Sequence, residues 1–144
     1  MEERTLALIK PHVFDDFQRS GANIVIADIQ ARYIALVLKI IAVRSFKMNK
    51  DFIENFYQEH INRPFFKDIV REMLSGCSFA MVLEGIGAVN KVRELNGATN
   101  PAEAKIGTLR YDYGRHEKGP HNGVHGSDSK KNAPREIRIV FGEI

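Results

Sequence analysis

Glu136-Ile137-Arg138-Ile139-Val140-Phe141 is the stretch on which the fold turns. Charged and apolar residues alternate at its start, and the run is rich in β-branched side chains, so it reads as a strand. Working back from it, Ser78 to Glu84 reads as another strand, stopped by Gly85, and Ala88 to Leu95 as a short helix. Ala35 to Phe46 is rich in Ile, Val and Leu and reads as a strand, and Thr5 to Ile9 as a buried strand closed by Lys10-Pro11. Between these lie a helix over Ser20–Tyr33, with Ser20 as its cap, and two helices that suggest a helical hairpin. The first of the pair opens at Asn49 or Lys50 and runs to about His60. The second starts at Pro64 and carries Phe65, Phe66, Ile69, Val70 and Met73 at helical spacing. With Glu136–Phe141 as its last member the order is βαββαβ. The expected fold is α+β and ferredoxin-like: a four-stranded antiparallel sheet with helices on its faces, a helical hairpin and a long loop.

At 144 residues the chain is expected to form a single domain over 1–144, and 44% apolar residues suit a packed core. A net charge of +3 is compatible with phosphate-bearing ligands but too weak to point to nucleic acid. One cysteine, Cys77, rules out an intrachain disulfide and favours a reducing, cytoplasmic setting. Lys39 and Arg44 interrupt the longest apolar run, so no membrane span is expected, and the first residues lack a signal-peptide pattern.

Asn122-Gly-Val-His125-Gly-Ser-Asp-Ser129 holds the side chain best suited to chemistry. Gly123, Gly126 and the nearby Pro120 disfavour a helix, so His125 is expected on a rigid loop, its ring open to a ligand. An imidazole is a nucleophile or base near neutral pH without special tuning. Lys10 sits at a strand tip, where a cation can meet an anion. The segment Gly97–His121 is long and polar, with Arg93 just before it and Thr99, Arg110 and Arg115 within it. A loop of this length in a compact domain is either functional or disordered, and arginine is the preferred clamp for phosphate oxygens. Gly85-Ile86-Gly87 after a strand is only a partial dinucleotide fingerprint, because Asn90 occupies its third position. A metal site of His116, His121 and His125 would need a helix that the glycines and Pro120 deny. The strands lack the basic and aromatic signature of RNA-binding sheets of this topology.

Several separated motifs resemble the nucleoside diphosphate kinases. Asn122-x-x-His125-Gly126-Ser127-Asp128-Ser129 is similar to that family's active-site signature, and Thr5 to Pro11 to its first strand. Arg63-Pro64-Phe65-Phe66 matches its helical hairpin, and Gly97-Ala-Thr-Asn-Pro101 with Gly107-Thr-Leu-Arg110 its nucleotide-binding loop. The resemblance spans nearly the whole chain. It implies ping-pong transfer of the terminal phosphate of a nucleoside triphosphate to a nucleoside diphosphate through a phosphohistidine on His125. It further implies that Glu136 orients the imidazole with help from Ser127, and that Lys10, Arg93, Arg110 and Thr99 contact the phosphates. Tyr57 is expected beside Lys10 near the reacting group, Asn122 and Lys10 on the sugar hydroxyls, and Phe65 stacked on the base with broad tolerance. Magnesium (Mg2+) would come on the nucleotide phosphates, with no metal ligands of the chain's own. A homo-oligomer is implied, as a hexamer, tetramer or dimer. The chain departs from the family pattern at His12, where an aspartate is usual, and at Ile106 and Tyr111. It also has about two extra residues before Asn122 and a lengthened segment between Lys10 and Tyr57.

Overall fold

The computed structural model describes residues 2–144. Strand β1 (Glu2–Ile9) runs down the middle of the molecule, and Leu6, Ala7, Leu8 and Ile9 are all fully buried. Its alternation feeds two cores. Ala7 and Ile9 pack with Val25, Ile29, Tyr33, Met81, Leu83 and Val92 on one face of the sheet. Leu6 and Leu8 pack with Ile53, Phe56, Met73, Val82, Ile137 and Val140 on the other. A strand covered on both faces has no polar alternation, which is why Thr5–Ile9 is a continuous apolar run.

After β1 come helices α1 (Pro11–Asp16) and α2 (Ala22–Ile34), strand β2 (Lys39–Lys47), and helices α3 (Lys50–Phe56) and α4 (Phe66–Leu74). Strand β3 (Cys77–Ile86), helices α5 (Ala88–Asn96) and α6 (Leu109–Tyr113), strand β4 (Val124–Gly126) and helix α7 (Ala133–Phe141) complete the chain. The sheet order is β2-β3-β1-β4, with every neighbouring pair antiparallel. The βαββαβ plan and the four-stranded antiparallel sheet therefore hold.

The fourth strand is not the one expected. Glu136–Phe141 lies inside helix α7, and the last strand is the three-residue β4, which carries His125. Pro134 in the first helical turn is the start signal that the alternation masked. The buried positions Ala133, Glu136, Ile137 and Val140 are spaced as a helix spaces one face. The glycine-lined loop expected around His125 is likewise an edge strand, paired through Leu8↔His125. Glycine is still needed there: Gly123 sits at φ +84°, and a Cβ on it would come within 3.2 Å of Tyr113 and Gly114.

Smaller boundaries also move. Gly21, not Ser20, caps α2, and β2 begins at Lys39 after a turn in which Val37 takes a left-handed φ of 63°. Asn49 caps α3 by accepting the Phe52 amide, as its residue type favours. Helix α4 begins at Phe66, two residues beyond Pro64. The segment 97–121 contains a turn of 3-10 helix at Pro101–Glu103 as well as α6. No helix among the described residues is long and apolar enough to cross a membrane.

Candidate active site

Three elements meet at His125. Strand β4 presents it at the sheet edge, the first turn of α7 brings up Glu136, and the turn after β1 brings up Lys10. His125 Nε2 lies 2.9 Å from Glu136 Oε1, with the imidazole side chain 18% exposed and the carboxylate nearly sealed at 4%. The Ser127 hydroxyl donates to the same Oε1 at 2.8 Å and accepts from the Leu6 amide at 3.1 Å. Asn132 Nδ2 donates to Oε2 at 3.3 Å. Burial alone would raise the Glu136 carboxyl, but the adjacent imidazole and the Ser127 hydroxyl outweigh it and hold it below the usual glutamate range. A carboxylate so fixed takes the proton-bearing side of the ring. Nε2 therefore donates, and Nδ1 keeps its lone pair with no hydrogen-bond partner among the described residues.

His125 borders a cleft of about 950 Å³. Lys10, Tyr57, Phe65, Arg93, Thr99, Arg110, Asn122 and Glu136 border the same cleft, so nine of the ten candidate residues lie together. The tenth, Ser127, is buried behind Glu136. Lys10 is almost fully buried, and its Nζ donates to the Pro120 carbonyl at 3.1 Å. Burial, with Arg110 nearby, pushes its ammonium down to about 8, against a smaller opposing pull from Glu72. It remains mostly charged at neutral pH. The Arg110 guanidinium is held by the Gly97 carbonyl at 2.7 Å and the Val124 carbonyl at 3.0 Å. Arg93, on α5, donates to the Asp128 carbonyl at 3.1 Å.

Tyr57 packs edge-on to His125 with ring centres 6.2 Å apart. Its hydroxyl is buried without a partner among the described residues, and so are Asn122 Oδ1, Arg110 Nε and Asn96 Nδ2. Buried polar atoms are nearly always paired, so four orphans on residues bordering one cleft mark a place where a polar ligand completes the bonding. Asn122 is steered by its Nδ2, which donates to the Thr99 carbonyl at 3.0 Å. Phe65 is 46% exposed at the cleft mouth, with His60 tilted 5.5 Å from it.

The structure adds residues that the sequence did not single out. Asn96, His60 and the Lys118-Gly119-Pro120 turn also border the cleft. Asn96 accepts from the buried Tyr33 hydroxyl at 2.6 Å; its only sequence signal was a helix-ending Asn-Gly pair. The three histidines of the rival metal reading engage separate partners: His116 the Tyr111 carbonyl, His121 Glu72, and His125 Glu136. No group of three or more histidine, cysteine or acidic side chains among the described residues could hold a metal.

Known proteins resemble the chain over its length. The family model for nucleoside diphosphate kinase matches residues 3–144. A nucleoside diphosphate kinase of Campylobacter jejuni is 48% identical over 139 residues, covering 96% of this chain and 95% of that one. One from Halorhodospira halophila is 43% identical, covering 96% and 92%. Among solved structures, the Aquifex aeolicus nucleoside diphosphate kinase superposes with a TM-score of 0.86 at 34% identity, covering 98% of this chain and 96% of that chain. A halophilic one from Halobacterium salinarum, in complex with CDP, gives 0.83 at 33% identity, covering 99% and 90%.

Proposed function

The chain belongs to the nucleoside diphosphate kinase family, and from that premise we propose how its own residues move phosphate between nucleotides. The observation that carries the reading is the 2.9 Å bond from His125 Nε2 to Glu136 Oε1, which leaves Nδ1 as the nucleophile. Its lone pair attacks the terminal phosphorus of a nucleoside triphosphate. The bond to the bridging oxygen breaks, and the diphosphate leaves with that electron pair. A second nucleoside diphosphate then attacks the phosphohistidine, and the imidazole is restored. Nε2 keeps its proton throughout, and Glu136 balances the charge that appears on the ring when Nδ1 is substituted.

Lys10, Arg93 and Arg110 supply positive charge around the phosphates, with Thr99 and the Tyr57 hydroxyl as further donors. The free Asn122 Oδ1 suits a sugar hydroxyl, with Lys10 beside it. Phe65 offers a flat face to the base, and stacking distinguishes bases poorly, so low base specificity follows. The cleft lacks a set of protein ligands fit for a metal among the described residues. Magnesium would enter with the nucleotide substrate and offset charge on its phosphates, beside Lys10, Arg93 and Arg110 of the chain. A homo-oligomer and a cytoplasmic location complete the reading. The unpaired outer edge of β2, with Val43 half-exposed, supports the former, and the single cysteine supports the latter.

The test is labelling with ATP carrying radioactive terminal phosphate. Acid-labile, base-stable label on the wild type and none on His125→Ala is expected. Label retained by the variant would remove His125 from the role of nucleophile.

A further inference from the structure

Two residues beyond Lys10, His12 is 2% exposed and bonded on every side. Its backbone N–H donates to Glu72 Oε2 at 2.9 Å. Its ring Nδ1 lies 2.9 Å from Asp16 Oδ2, and its Nε2 lies 2.9 Å from the Gly123 amide nitrogen. An amide N–H can only donate, so Nε2 must be the acceptor and the ring proton must sit on Nδ1, donating to Asp16. The ring is therefore neutral with one tautomer imposed.

Gly123 leads directly into β4. The Lys10 amide donates to the Gly123 carbonyl at 2.9 Å, so the turn after β1 grips both polar groups of that residue. Strand β4 is three residues long and pairs only with β1. So short an edge strand has little ladder of its own, and its entry point depends on this grip. Asn122 stands on one side of Gly123, and His125 two residues on the other.

We propose that His12 is a positioning residue for the phosphate-transfer reaction: its unprotonated Nε2 anchors the Gly123 amide and so fixes β4, and with it the reacting ring of His125 and the sugar-facing Asn122. A protonated His12 would turn a donor toward the Gly123 N–H and release the anchor, which places His12 on the acid side of the pH profile. The groups that face the ring divide in their effect. Asp16 on α1 and Glu72 on α4 favour the charged form; His121, 5.3 Å away edge-on and itself 3.3 Å from Glu72, opposes it. Arg115 engages Asp16 through two bonds of 2.9 and 3.1 Å and draws off part of that carboxylate's pull. Burial is the largest influence, and it holds the His12 ring below its ordinary value.

This rests on phosphotransfer through His125, and the test separates the two. In wild-type protein labelled with 15N at histidine, the long-range proton–nitrogen spectrum at pH 7 should show His12 neutral with its proton on Nδ1. An Nε2–H tautomer or an imidazolium there overturns the proposal, whether or not His125 takes label. The rate of His125 labelling from ATP is then compared across His12→Leu and His12→Gln. Leucine removes the acceptor and should slow labelling about tenfold, with a smaller loss of nucleotide affinity through the loosened Asn122. Glutamine can place an uncharged carbonyl oxygen near the Nε2 position. It should recover most of the rate and, once His12 is protonated in the wild type, lose less of that rate than the wild type does, because the anchor no longer titrates although His125 still does. An undiminished rate in His12→Leu, or an equal loss in both variants, overturns the proposal.

Discussion

Ser127 and Glu136 are joined by a 2.8 Å hydrogen bond, and the same Ser127 oxygen accepts from the Leu6 amide at 3.1 Å. One hydroxyl thus ties the central strand to the carboxylate that holds the His125 ring. All three groups are buried, so the arrangement has no solvent to fall back on.

Replacing Ser127 with alanine leaves the Leu6 amide and one side of Glu136 without that partner. Stability should fall by about 1–3 kcal/mol, the cost of a buried polar group left unpaired. Urea denaturation measures the loss, and a midpoint equal to wild type would show that the bond is energetically idle.

Glu136→Gln keeps the shape and removes the charge. Nε2–H can still find the amide oxygen, but nothing offsets the positive charge of a substituted ring. Phosphorylation of His125 in a single turnover should slow by about 10- to 100-fold. Quench-flow with labelled ATP reads the rate directly; an unaltered rate would remove Glu136 from the chemistry.

Lys10 titrates near 8 in the folded chain against 10.5 as the ordinary value. Its charge is costly in the fold, because burial disfavours it. Between those two values the unfolded chain holds the extra proton, so the Lys10 contribution to stability rises with pH across about 8 to 10.5. Phosphate affinity moves the opposite way. The kcat/KM of the wild type should decline as pH passes 8, and this alkaline limb should vanish in Lys10→Gln, whose overall value is far lower. A limb unchanged in the variant would assign it to another group.

Phe65→Ala should weaken nucleotide binding by about 5- to 20-fold, the lower part of the range for base stacking, because the ring is half-exposed. Titration calorimetry with ADP and with GDP should show similar losses for both. A loss confined to one base would contradict a stacking role.

Much of this site was legible from residue order. Lys10-Pro11, Arg63-Pro64-Phe65, Gly107–Arg110 and Asn122–Ser129 carry local chemistry whose residue types and spacing do not depend on seeing the fold. With the further positions that the family resemblance implies, ten side chains were nominated, and the cleft collects nine of them. Helices α3, α4 and α5 and strands β1 and β3 were equally legible, because each is long enough for its apolar period or run to stand out.

What the sequence by itself determined was the family, the βαββαβ plan and most of the residues that meet in the cleft. The tertiary structure decided which segment became the fourth strand. Three residues are too few to show a period, and β4 exists only because β1 offers Ala7, Leu8 and Ile9 as partners from the far end of the chain. The same non-local packing turned Glu136–Phe141 into a helix, since its buried side is set by the core formed around Leu6 and Leu8 rather than by local alternation. It also gave His12 its single tautomer, because the Gly123 amide reaches the ring opposite Asp16 only after the chain has closed around it.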